Sequence, residues 1–273
     1  MRVVTFNLHA GVDGWGRRTE ALEHLIALAP QVAICPELWR GDDGEDMVAT
    51  LRARLGMEGE FVALARAERI TTGVGPRRWQ PRLAHLTGER GLFFREHREL
   101  TAQQRTHRGR RRAIETGDWG LGLFTTLPIE TIETRPLGRL PREKVRRALV
   151  IARLDLKGRP IHVVAVHGSH LSHGSPVLYR RVTRIVESLD PTIPIILGGD
   201  FNCWRPLLRV LLPGWRTLAR ARTWPAGRPH SQIDHILGRG PWRSLGAGAS
   251  DGGSDHRALY GDLELADEDP PTP

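Results

Sequence analysis

The chain has 273 residues, 40 of them basic and 31 acidic, for a net charge of +9. That length can bury a large core, as one big domain or two small ones, and its longest apolar runs are far too short to span a bilayer. The two cysteines, Cys35 and Cys203, argue against a disulfide framework, make a poor metal cage and read as small packing residues, which suits a cytoplasmic location.

The first residues, Met1-Arg2-Val3-Val4-Thr5-Phe6-Asn7, meet a polar side chain too soon for a signal-peptide core. Arg2 to Leu8 reads as a strand ending in Asn7, followed by a turn rich in glycine through Gly11, Gly14 and Gly16. Thr19 to Leu28 spaces Leu22, Leu25 and Ile26 as a helix does, and Pro30 stops it. Gln31 to Cys35 is a second short strand. Pro36 favours an extended exit, so the Glu37 carboxylate is expected to project beyond the sheet. Met47 to Leu55 is a helix and Phe61 to Ala67 a strand.

From there to about Gly117 the periodicity is lost. Between Arg66 and Arg112 stand 13 arginines and four glutamates, a surplus of nine. Two readings compete. The segment is an electrostatic footprint for a polyanion, or it reflects a GC-rich coding bias, because Lys144 and Lys157 are the only lysines. Its densest part, Arg105 to Arg112, has no apolar face and reads as a solvated loop. The pattern resumes with strands at Leu121 to Thr125, Ala148 to Leu156 and Ile161 to Val166, the last leading into His167-Gly168-Ser169-His170. Val177 to Leu189 is an amphipathic helix.

Ile195-Ile196-Leu197-Gly198-Gly199-Asp200-Phe201-Asn202 is the stretch on which the chain is organised. A short apolar run between Pro194 and two glycines reads as a buried strand. The glycines permit a sharp turn or a close approach to a ligand. A carboxylate and a carboxamide two residues apart just beyond it read equally as a site and as a strand-end turn. Leu207 to Leu212 is a short helix, Ile233 to Leu237 and Ala258 to Leu265 are the last strands, and residues 266–273 form an acidic, proline-containing tail that frays.

Asn7, Glu37, His170, Asp200 and the Asp255-His256 pair thus all lie at or near strand ends, where α/β folds build sites. Carboxylates and carboxamides dominate the set. Such hard oxygen donors suit Mg²⁺ or Mn²⁺ better than zinc.

Thr5-Phe6-Asn7-Leu8, the Glu37 segment, Ser169-His170-Leu171, Gly199-Asp200-Phe201-Asn202, Ile233-Asp234-His235-Ile236 and Ser254-Asp255-His256 follow one another in an order that resembles the endonuclease/exonuclease/phosphatase superfamily, the fold of the deoxyribonuclease-I type. The likeness spans about Arg2 to Leu265, apart from the Arg-rich segment. It implies one domain over 1–265 with an Arg-rich insertion at about 66–117. It also implies an α/β four-layer sandwich, two face-to-face mixed β-sheets flanked by helices.

By that resemblance Glu37, helped by Asn7, binds a catalytic Mg²⁺, and Asp255 reaches the metal region. Asp200 orients or deprotonates the attacking water, and Asn202 holds the phosphate or that carboxylate. His256, oriented by Asp234, contacts the scissile phosphate, and Arg147 matches a phosphate-contacting arginine. His170 matches the second family histidine, with His167, three residues earlier, as the alternative under a different strand register. Pro36 stands where the family usually has glutamine. The chemistry explains these residue types. A phosphodiester's charge repels a nucleophile, so catalysis needs a cation, a proton acceptor and preorganised donors.

The resulting expectation is a divalent-metal-dependent phosphodiester hydrolase, a nuclease, acting as a monomer, with the Arg-rich segment as its candidate nucleic-acid contact. A phosphomonoesterase or lipid phosphodiesterase acting on an anionic head group is the alternative from the same chemistry. A non-catalytic nucleic-acid-binding module is the alternative from another class.

Overall fold

In the computed structural model, residues 1–13, 17–42, 44–71, 92–94, 113–140, 143, 145–170 and 175–267 are described. The Arg105 to Arg112 loop, two of the three turn glycines (Gly14 and Gly16), the end of the Ser169-His170-Leu171 motif and most of the tail lie outside them.

Short β-branched and apolar runs punctuated by Gly and Pro give a chain dominated by strands. In order these are β1 (Arg2–Thr5), a 3-10 turn at His9–Gly11, α1 (Ala21–Ala27), β2 (Val32–Gly41), α2 (Met47–Leu55) and β3 (Glu58–Thr71). Then come β4 (Leu92–Phe94), β5 (Ala113–Thr125), β6 (Ile129–Gly138), β7 (Arg147–Leu156), β8 (Arg159–His167) and α3 (Ser175–Val186). The chain ends with β9 (Ile195–Asp200), α4 (Arg205–Leu211), β10 (Arg216–Thr217), β11 (Asp234–Arg239), β12 (Trp242–Asp251) and β13 (Arg257–Leu265).

Two mixed sheets result. One runs β12-β13-β1-β2-β5-β3-β4 and the other β10-β11-β9-β8-β7-β6. β1 lies parallel to β2, and β8 lies parallel to β9. Val3, Val32, Ile34, Leu121 and Leu259 of the first sheet meet Val150, Val163, Ile196 and Ile236 of the second in one buried apolar layer. On the outer face of the first sheet, α1 and α2 bury Leu22, Leu25, Val48 and Leu51. On the outer face of the second, α3 buries Leu178, Tyr179, Val182 and Val186, one stripe at helical spacing. Each such side chain contributes about 2 kcal/mol of transfer free energy. The expected four-layer sandwich is therefore present. No helix among the described residues is long and apolar enough to cross a membrane.

Four strands differ from the sequence reading. β3 and β5 continue, paired, to Thr71 and from Ala113, so the flanks of the Arg-rich stretch are strand, not loop. Pairing supplies the regularity there that the side-chain pattern lacks. β2 does not stop at Cys35 but runs to Gly41, with a bulge between Pro36 and Leu38. β12, Trp-Arg-Ser-Leu-Gly-Ala-Gly-Ala-Ser-Asp, gave no strand signal, because as an edge strand it turns mostly exposed small and polar residues to solvent.

Candidate active site

The site forms where β1, β8 and β9 end, β11 begins and β2 bulges. β1 delivers Asn7, and the parallel pairing of β8 with β9 puts His167 opposite Asp200. Antiparallel pairing of β11 with β9 puts Asp234 opposite the same residue. Asp200 is the centre of the arrangement.

Its two glycines serve packing. Gly199 has φ +143°, and a Cβ there would sit 1.8 Å from the Val166 carbonyl oxygen of β8. A Cβ on Gly198 would meet Ile34 of the opposite sheet at 2.6 Å. The glycines let strands and sheets close up behind Asp200 rather than admit a ligand. Beyond it, the Asn202 backbone N–H donates to Asp200 Oδ1 at 2.7 Å, with Asn202 at φ +48°. Turn and site are the same structure: one carboxylate oxygen closes the turn and the other faces the cluster.

Glu37 is the extra residue of the β2 bulge, at φ +54°. A non-glycine residue there is strained, and the bulge re-aims its carboxylate out of the sheet. The carboxylate thus projects as expected, by a bulge inside a continuing strand instead of a strand end. Asn7 Nδ2 donates to Glu37 Oε1 at 3.0 Å and to Asp200 Oδ2 at 3.1 Å. Asn7 Oδ1 accepts the His9 backbone N–H at 3.0 Å. Asn7 is therefore a brace between two carboxylates, with its oxygen turned away from them.

Histidines flank this pair. His167 Nε2 stands 3.8 Å from both Glu37 Oε1 and Asp200 Oδ2. His256 Nε2 stands 3.8 Å from Asp200 Oδ2, while its Nδ1 donates to Asp234 Oδ2 at 2.9 Å. His170, which the family pattern favoured, is exposed and lies three residues beyond the end of β8. The register of β8 against β9 carries His167, not His170, to Glu37 and Asp200.

The electrostatics separate these groups. Burial pushes the Asp200 carboxyl up to about 7; the His256 charge opposes this and the Asp234 charge adds to it. Burial, then the charges of Arg147 and His256, push His167 well below the usual imidazole range. Burial also opposes charge on His256, but Asp234, Asp200 and Asp255 outweigh it and hold its pKa well above that range. Asp255 is half-buried, and its loss of solvent raises its pKa, yet His9 and His256 bring it below the ordinary carboxylate value.

Donor atoms of Glu37, His167 and Asp200 lie within 4.8 Å of one another, as do those of Asp200, Asp234 and His256. The Glu37 side chain keeps 19% of its surface, while Asp200 keeps 1%, so a cation can approach from the Glu37 side. Two carboxylates converging on one amide, beside a neutral imidazole, fit a divalent cation. Asp255 is in neither group. Its Oδ1 accepts from Ser254 Oγ at 3.3 Å, and its charge faces His9 and His256.

Two contributors, Trp119 and Glu143, gave no sequence signal. Trp119 on β5 donates Nε1 to Glu37 Oε2 at 3.4 Å and stacks at a tilt on His167, with centroids 5.2 Å apart. Glu143 is buried and accepts from Arg147 Nε at 2.5 Å and Ser169 Oγ at 2.8 Å. Arg147 lies over Trp119 at 5.7 Å, with its buried Nη1 unpartnered among the described residues. Asn202 Nδ2 also reaches the Gly168 carbonyl at 3.2 Å and Asp200 Oδ2 at 3.2 Å. The thiols of Cys35 and Cys203 are buried packing groups.

Residues 4–256 match the family model described as the Endonuclease/Exonuclease/phosphatase family. A search of curated proteins finds no match. Among solved structures, the chain is similar to an endonuclease/exonuclease/phosphatase family protein from Leptotrichia buccalis C-1013-b, with TM-score 0.65 and 12% identity over 97% of this chain and 100% of that one. It is similar to the human Nocturnin catalytic domain with bound sulfate, with TM-score 0.58 and 16% identity over 97% and 93%. It is also similar to D. rerio TDP2 complexed with single-strand DNA product, with TM-score 0.57 and 14% identity over 97% and 99%. At such identities these likenesses establish the fold, and the match over residues 4–256 establishes that the chain belongs to the endonuclease/exonuclease/phosphatase family, hydrolases acting on phosphoester bonds.

Proposed function

We propose that the chain is a divalent-metal-dependent phosphodiester hydrolase acting on nucleic acid, with Mg²⁺ or Mn²⁺ held by Glu37 at the edge of the cluster that Asp200 and His167 complete. The observation that carries this reading is the meeting of Glu37, His167, Asp200 and the Asp234–His256 pair in a single cluster. When bound there, the cation supplies neutralisation of phosphate charge and polarisation of the ester.

The chain's own residues supply the rest. Asp200, with a pKa near 7, orients the attacking water and takes its proton. Asn7 and Asn202 fix its Oδ2 through amide hydrogens at 3.1 and 3.2 Å. His256 keeps its proton near neutrality and donates from Nε2 to a phosphate oxygen, because Asp234 holds Nδ1. The unpartnered Nη1 of Arg147 offers a further donor to the charge that grows on the phosphorus oxygens. The Arg-rich stretch is kept as a second nucleic-acid contact on sequence grounds alone.

A substrate panel with Mg²⁺ tests the reading: bis(p-nitrophenyl) phosphate, plasmid, RNA, p-nitrophenyl phosphate and phosphoinositide. Hydrolysis of the diester and of a polynucleotide, lost with EDTA, is expected. Preferential release of phosphate from the monoester or the phosphoinositide would replace it with the head-group alternative. Polynucleotide binding without product from any substrate would indicate the non-catalytic module.

A further inference from the structure

Beside the site lies a shallow, open cleft of about 570 Å³ lined by residues that include Trp204, Arg205, Arg220, Arg222 and Gln232. It adjoins the catalytic cluster through the chain itself. Trp204 follows Asn202 by two residues, and Gln232 precedes Asp234 by two. Thr223, next to Arg222, accepts at its Oγ1 the backbone N–H of Asp234 at 3.3 Å, and its carbonyl accepts that of Arg257 at 2.8 Å.

About half of the described arginines pair with a carboxylate, and these three do not. Arg2, Arg17, Arg18, Arg40, Arg66 and Arg69 each pair with a carboxylate, as do several more. Arg205, Arg220 and Arg222 form no ion pair among the described residues, and Arg220 and Arg222 are exposed. Three unneutralised guanidiniums around one cleft are a site for successive anionic groups. Trp204 adds something that anion binding does not need. Its side chain is large and apolar, and the residue is 56% exposed although it lines a cleft. Such an indole offers a flat face for stacking. The Gln232 amide, anchored by its Nε2 to the Ala219 carbonyl at 2.9 Å, stands in the same wall.

We infer that this cleft holds single-stranded nucleic acid next to the scissile phosphate, with one base stacked on Trp204 and the flanking phosphates on Arg205, Arg220 and Arg222. This rests on the reading of the adjoining cluster as a phosphodiesterase centre, and names the polymer that centre receives. A single strand fits better than a duplex because only an unstacked base can present its face to the indole. An anionic lipid surface is the competing partner for an exposed indole beside guanidiniums, and a vesicle titration distinguishes it.

Binding without turnover separates the two ideas. The full chain in EDTA is titrated into a labelled single-stranded oligonucleotide, the matching duplex, inorganic polyphosphate and phosphatidylserine vesicles. The single strand is expected to bind tightest. Trp204→Ala should weaken it on the order of tenfold, the scale of base stacking, while leaving polyphosphate affinity in place. Arg205→Gln/Arg220→Gln/Arg222→Gln should lower the slope of log K against log salt for the oligonucleotide by about 2, since each lost phosphate contact removes about 0.7. If the triple variant does not show the wild-type melting transition, Arg220→Gln/Arg222→Gln, both on exposed residues, takes its place with a slope change of about 1.4. Unaltered oligonucleotide affinity in Trp204→Ala, an unaltered salt slope, or preference for duplex or vesicles would overturn the inference. Hydrolysis of bis(p-nitrophenyl) phosphate by the wild type decides the catalytic reading separately. Strand binding without that hydrolysis sinks the enzyme and leaves the cleft standing.

Discussion

His167 and His256 each place Nε2 3.8 Å from the same Asp200 Oδ2, yet their environments drive them to opposite charge states. His167 is buried beside Arg147, which keeps it neutral. His256 is buried among Asp234, Asp200 and Asp255, which keep it protonated. One imidazole can offer a lone pair while the other offers a proton, a division of labour set by neighbours rather than by residue type.

That division predicts which histidine matters beyond His256. His167→Ala should lower kcat/KM for a phosphodiester by ~10²-fold, the usual scale of a lost catalytic contact. His170→Ala, at an exposed position past the strand end, should cost less than ~3-fold, within the range of surface changes. A reversed order would show that the register of β8 does not decide the site.

His256→Ala should lower kcat by ~10²-fold or more, because it removes the proton carried at Nε2. Asp234→Asn should give a smaller loss. Its amide can still occupy the space beside Nδ1 but no longer holds the charge that keeps His256 protonated. Steady-state kinetics at pH 7 compare the two. Intact turnover in both, together with loss in His235→Ala, would make His235 the working imidazole and overturn the register of the Asp234 region.

Glu37→Gln keeps the side-chain shape and removes its charge. Mg²⁺ or Mn²⁺ affinity and turnover should therefore fall together by ~10²-fold, and EDTA should abolish hydrolysis by the wild type. Metal titration by calorimetry beside a diester assay makes the measurement. Full activity in metal-free buffer would remove the cation from the reaction.

Glu143 and Arg147 form a buried pair, and the donor role proposed for Arg147 would make Glu143 the residue that aims its guanidinium. Glu143→Gln should raise KM for a diester more than it lowers kcat, and Glu143→Asp should recover part of the loss. Equal damage to both constants and to the melting temperature would mark the pair as structural only.

His235 supplies a pH test remote from turnover. Its Nε2 donates to the Cys203 carbonyl at 2.9 Å, and burial brings its pKa down to about 4. Between the unfolded value near 6.5 and 4, the unfolded chain binds a proton that the folded chain refuses. The stabilising effect is complete above about pH 6.5 and is lost as pH falls toward 4, by about 3 kcal/mol in all. Denaturant unfolding at several pH values should show a steeper acid loss for the wild type than for His235→Gln. Parallel curves would refute the assignment.

Residues 4–256 carried the family in their order of motifs. The sequence alone put Asn7, Glu37, His170, Asp200 and the Asp255-His256 pair at or near strand ends, and the family likeness added Asn202 and Asp234 to them. Three things waited for the tertiary structure. The choice between His167 and His170 depends on where β8 stops against β9, and a local pattern does not contain a cross-strand register. Glu37 reaches the site through a bulge at positive φ, a backbone state that no side-chain spacing encodes. Trp119, Glu143 and the cleft of Trp204 and its arginines are assembled from segments far apart in the chain, each unremarked in isolation. Motifs record chemistry held by consecutive residues. Which buried charges face one another, and so which imidazole keeps its proton, is a property of packing in three dimensions.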